Sequence, residues 1–153
     1  MVSTQKNEVQ KSNFIKEAEV EGEKAIQMSP LNVNYWKNLM RIYYELSKSN
    51  ILYLNKAVEA TVRAVELAPT DARLHFNLAW LYEETKQIDK AIKTQEETIY
   101  LKPDYKEAYF ALASLYEKQQ NKDKAISLLQ KLTKFFPDDN EISGKIKSLK
   151  EHK

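Results

Sequence analysis

The sequence predicts an all-α protein made of repeated helical hairpins, and three observations carry that prediction. Glycine occurs only twice in 153 residues, at Gly22 and Gly144, which deprives turn-rich β architectures of their usual residue, while 42% apolar and 30% charged residues suit helices. The four prolines, Pro30, Pro69, Pro103 and Pro137, stand at intervals of 39, 34 and 34 residues. An alanine lies twelve residues before each of them, at Ala18, Ala57, Ala91 and Ala125. A period of this length marks a hairpin that cannot bury its apolar face alone and stacks on its neighbours.

The elements follow in chain order. Residues 1–12 read as a flexible segment. Residues 13–30 match only the second helix of a hairpin, with Ala18, Gly22 and Ala25 in place, so the chain begins in mid-repeat. Residues 33–69 form the first full hairpin, with Trp36, Leu39, Met40 and Tyr43 on one helical face, then Ala57, Thr61 and Ala64. Tyr43 stands 26 residues before its proline where Tyr82 and Tyr116 stand 21 before theirs, so five extra residues are expected between the two helices. Residues 72–105 repeat the stripe through His75, Leu78, Ala79 and Tyr82, followed by Ala91, Gln95 and Thr98. Residues 106–139 do so through Tyr109, Leu112, Ala113 and Tyr116, followed by Ala125, Leu129 and Leu132. Residues 140–153, with Ile142, Ile146 and Leu149 on one face and lysines elsewhere, read as a solubilising cap helix. Proline biases its predecessor away from the helical region. Asp104 and Asp138, directly after their prolines, are expected to cap the following helices, as are Asn32 and Asp71 two residues after theirs.

Over residues 13–149 this pattern resembles the tetratricopeptide repeat family: a large apolar residue, Leu, a small residue and Tyr, then Ala, an apolar residue, Ala and Pro. The departures are Met40 at a small site, Thr61 and Gln95 at a large apolar site, and Thr98 and Leu132 at the second alanine. The resemblance implies a right-handed superhelical solenoid whose first helices line a concave side.

The residues that chemistry would need are scarce. No cysteine is present, which removes thiolate nucleophiles and Cys-ligated zinc, and no glycine-rich phosphate loop is possible. His75 and His152 have no second ligand at helical spacing, and His75 falls at a position that packs between helices. The acidic pairs Glu83-Glu84, Glu96-Glu97 and Asp138-Asp139 point about 100° apart on a helix and cannot share a proton. No enzyme activity, cofactor or metal is expected. Neither a run of about 18 apolar residues nor an apolar stretch near residue 1 occurs, so neither a membrane span nor a signal peptide is expected, and the cytoplasm is the default setting.

Taking 100° per residue, positions 2, 5, 9 and 12 of each first helix point away from its core stripe. In this architecture they face the groove, with position 6 at its border. They supply Asn34, Lys37, Arg41 and Tyr44; then Arg73, Phe76, Trp80 and Glu83; then Glu107, Phe110, Ser114 and Glu117; position 6 adds Asn38, Asn77 and Ala111. Arginine and aromatic anchors beside carboxamides suit a protein or peptide partner, extended or helical. Some relatives clamp a partner's terminal carboxylates. Lys37 and Asn77 fit that clamp, whereas Arg41, Glu107 and Ala111 depart from it, which disfavours the co-chaperone reading. A net charge of +2 disfavours nucleic acid. The first repeat, with its long inter-helix segment, also resembles the tails of bacterial O-antigen ligase or polymerase-type membrane proteins. That resemblance implies a non-catalytic tail on the extracytoplasmic side of a bacterial envelope. A further expectation is self-association, a homodimer through the open apolar edge at Phe14 and Ile15.

Overall fold

A computed structural model describes the backbone of residues 2–151 and the side chains from residue 13 to residue 151. Eight helices follow one another, with no strand among the described residues: α1 (Val2–Met28), α2 (Val33–Ser47), α3 (Leu52–Leu67), α4 (Ala72–Glu84), α5 (Ile88–Leu101), α6 (Lys106–Lys118), α7 (Lys122–Leu132) and α8 (Asn140–Glu151). Each helix packs chiefly on the one before it and the one after it. The result is a row of hairpins, α2/α3, α4/α5 and α6/α7, with α1 at one end and α8 at the other. The segment read as flexible, residues 1–12, is helical in its backbone from Val2 on, while its side chains lie outside the described residues, as does His152.

The prolines position the helix starts. Around each, the backbone N–H two residues after proline donates to the carbonyl of the residue before it: Asn32 to Ser29, Asp71 to Ala68 and Tyr105 to Lys102 at 3.1 Å, and Asp139 to Phe136 at 3.4 Å. Proline thus occupies the second position of a four-residue turn, where its fixed φ fits. The cap falls at the fourth position, on Asn32, Asp71, Tyr105 and Asp139. Asn32 accepts from the N–H of Asn34, Asp71 from Arg73 and Leu74, and Asp139 from Glu141 and Ile142. This corrects the expectation for Asp104 and Asp138. Both sit inside the turn, one residue too early, and Tyr105, at the cap position before α6, makes no side-chain cap.

The five extra residues of the first hairpin do not form a long loop. Two lengthen α2 and two lengthen α3 relative to α4 and α5, and one enters the connection. The two shorter hairpins instead close on left-handed residues, Lys86 at φ 62° and Gln120 at φ 59°. Their flanking bonds, Gln87 N–H to Tyr82 and Lys86 N–H to Glu83, and likewise Asn121 to Tyr116 and Gln120 to Glu117, make the Schellman arrangement that ends a helix.

Two apolar clusters run along the row. One joins α1 to α4 through Leu39, Tyr43, Leu54, Ala57 and Leu81. The other joins α5 to α8 through Ala91, Leu112, Leu115, Leu129 and Ile142. Ala57, Ala91 and Ala125 are fully buried, as close helix crossings require. The polar departures are all satisfied. Thr61 and Thr98 donate to the carbonyls of Ala57 and Thr94 one turn back, and Gln95 Nε2 donates to the carbonyl of Ala108 at 3.1 Å. Buried polar groups paired in this way cost little.

Candidate functional site

The face built by positions 2, 5, 6 and 9 of α2 and α4 forms two adjoining hollows. The larger, about 760 Å³, is walled by Asn38, Arg41 and Tyr44 of α2 and by Asn77 and Trp80 of α4. α1 closes its far side with Phe14, Ile15 and Ala18, and Met40, Ile42 and Glu45 complete it. The smaller, about 420 Å³, takes Lys37, Arg41, Arg73 and Phe76, with Asn34 and Tyr105 at its ends. Asn38, Met40, Arg41 and Asn77 border both.

Ring packing fixes the aromatic groups. Trp80 meets Tyr44 edge-on, with centroids 4.6 Å apart and planes at 65°, and both also lean on the first apolar cluster. Trp80 is therefore half-buried, with part of its surface on the core and part in the hollow. Phe76 stacks on Tyr105 at 5.2 Å. Phe110 is not brought to either hollow. It packs against the second cluster, under Lys106 Nζ at 5.7 Å, and borders a separate depression of about 320 Å³ with Glu107 and Glu141.

Several charges expected to face a partner are matched within the chain. Lys37 Nζ lies 3.0 Å from Asp71 Oδ2, while the other oxygen of Asp71 caps α4. Partial burial opposes charge on Asp71, yet the Lys37 ammonium and the two backbone N–H donors hold its carboxyl below the usual carboxylate range. Glu83 pairs with Lys118, and Glu117 with Lys145 at 2.8 Å, tying each first helix to the next. Glu83, Ser114 and Glu117 border neither hollow. Arg41 and Arg73 are exposed and have no carboxylate partner among the described residues. His75 is buried with Nδ1 3.2 Å from the carbonyl of Asp71, a packing position. No group of three or more His, Asp or Glu stands ready to hold a metal among the described residues, and no helix is long and apolar enough to cross a membrane.

Residues 61–93 and 107–139 match two family models, each described as a tetratricopeptide repeat. Over these two stretches the chain carries tetratricopeptide repeats. No curated protein matches the sequence. Solved structures share the fold of this repeat protein. The crystal structure of MamA superposes with a TM-score of 0.75 at 22% identity, over 93% of this chain and 80% of that one. The thermophilic TPR protein TTC0263 of Thermus thermophilus gives 0.68 at 23%, over 91% and 74%. At these identities the likeness is one of fold.

Several lining residues of the repeat protein were not expected in the groove. In the half-repeat Ala18 fits the repeat pattern as a packing residue, and Phe14 and Ile15 read as an open apolar edge, whereas all three line the larger hollow. Tyr105 stands at a cap position, outside the helical count. Met40 did carry a signal, since a long side chain replaces the small residue of the motif, and it lies where the two hollows meet.

Proposed function

We propose that this repeat protein is an interaction module that holds a peptide or helix of a partner protein on the concave side, against α2 and α4. The observation that carries the reading is the convergence of Arg41, Asn38, Asn77, Tyr44 and Trp80 on one hollow of about 760 Å³. Such a volume accommodates a few side chains. A half-buried tryptophan held by a neighbouring ring is the kind of rigid anchor that concentrates binding energy, and carboxamides can bond an extended main chain. Tetratricopeptide domains act in general as protein-interaction scaffolds, and the MamA-like fold agrees with that class.

The test is affinity capture from cells that express the protein, with photo-crosslinks mapped onto the chain. Trp80→Ala is expected to lose the captured partner while the helical circular-dichroism signal persists. Tyr100→Ala, on an exposed outer-helix side chain, is expected to retain it. Crosslinks confined to the second helices, or a partner indifferent to Trp80→Ala, overturn the reading.

A further inference from the structure

Most charged side chains along the inner face are matched within the chain. Lys37 pairs with Asp71, Lys106 with Asp139 and Glu141, Lys118 with Glu83 and Lys145 with Glu117. Arg41 and Arg73 are the cations of this face left without such a match. Both are exposed, both border the hollow of about 420 Å³, and neither comes within 4.0 Å of a carboxylate among the described residues. Asn38 and Asn77 border the same hollow, and their side chains make no hydrogen bond among the described residues. Two guanidinium groups and two carboxamides therefore present unmet hydrogen-bonding capacity. The adjoining hollow changes character, with walls of Phe14, Ile15, Ile42, Tyr44 and Trp80.

We infer that the groove selects a peptide segment of a partner protein in which an acidic residue stands beside a bulky apolar one. The carboxylate seats on Arg41 and Arg73, whose planar forks match its geometry. The bulky side chain seats against Trp80 and Tyr44, and the intervening main chain bonds the carboxamides of Asn38 and Asn77. Lys37 contributes little net attraction because Asp71 neutralises it. The cationic stretch is also short. Glu107 lies near Tyr105 at one end, and Glu83 and Glu117 beyond it are already matched by Lys118 and Lys145, so a long polyanion finds no further unmatched cation there. This inference rests on the groove being the binding face and specifies what it binds.

The experiment pans a displayed library of randomised dodecapeptides against the intact chain. Winning peptides are then resynthesised with every Asp and Glu replaced by Asn and Gln. Binding is read by fluorescence anisotropy for wild type, Arg41→Gln, Arg73→Gln and Trp80→Ala. The expected winners carry Asp or Glu adjacent to Trp, Phe, Leu or Ile. Neutralising the peptide, or substituting either arginine, weakens binding about two- to fivefold, as for exposed ion pairs, and the effect shrinks in high salt. Winners that need Trp80 yet show no acidic preference and ignore both arginines overturn this inference and leave the groove standing. Winners indifferent to Trp80, or no enrichment over the starting library, overturn both. Arg41 and Arg73 are exposed, so their substitutions leave the fold intact and keep the comparison decisive.

Discussion

Lys86 and Gln120 occupy equivalent left-handed positions, where a side chain costs about 1–2 kcal/mol that glycine avoids. Glycine gives back part of that gain through its larger unfolded-state entropy. Lys86→Gly and Gln120→Gly are therefore each expected to stabilise the protein by about 0.5–1 kcal/mol in urea unfolding. The Tyr116 hydroxyl donates to Glu96 Oε1 at 2.8 Å, and burial, then that carboxylate, push its pKa up to about 12. A raised pKa contributes stability that is complete below the ordinary tyrosine value near 10 and lost as pH rises toward 12. Tyr116→Phe should flatten the fall of the melting temperature over that range, measured by thermal circular dichroism. At this scale the sequence named the unusual residues but not their partners. Gln95 stood out as polar at an apolar site, whereas the Ala108 carbonyl that receives its proton lies on the next hairpin and is reached only by stacking.

Helix boundaries show the same division one level up. Proline spacing located every turn between hairpins, because a ring that locks φ punctuates helices whatever surrounds it. Which residue caps depended on turn closure, and that moved two of four expected caps by one position. At the last turn Asp139 has two roles: one oxygen caps α8 and the other accepts from Lys106 Nζ at 2.6 Å. The Lys106 ammonium holds the Asp139 carboxyl below the usual carboxylate range, and the Ile142 and Glu141 N–H groups add to it. That contribution is present above about pH 4 and lost as pH falls through it. Asp139→Asn keeps an acceptor for the cap, so the variant should start less stable near neutrality and lose less between pH 5 and about 3 in thermal unfolding. In the same helix, a Cβ at Gly144 meets nothing within 4 Å. Gly144→Ala is expected to add about 0.5–1 kcal/mol, read from urea midpoints.

Stacking in a row makes the whole molecule nearly one-dimensional, since each helix packs chiefly on its sequence neighbours. Damage should therefore stay local. Leu129 is fully buried in the second cluster, and Leu129→Ala should cost that half about 2–5 kcal/mol. Native-state hydrogen exchange is expected to accelerate in α6 to α8 while α2 and α3 exchange almost as in wild type. Uniform acceleration along the chain would mean a single cooperative core instead.

By itself the sequence determined that the chain is a row of helical hairpins, where each begins and which face each buries. Those properties follow from local chain stiffness and from a 3.6-residue period that acts within one helix. Only the tertiary structure decided which inner-face residues share a hollow. It grouped Arg41 with Trp80 and Arg73 with Phe76, set Phe110 apart, and brought Phe14 and Ile15 in from a half-repeat. It also decided which charges are matched within the chain itself, since a pair such as Lys37 with Asp71 spans 34 residues and exists only once neighbouring hairpins are fixed in register.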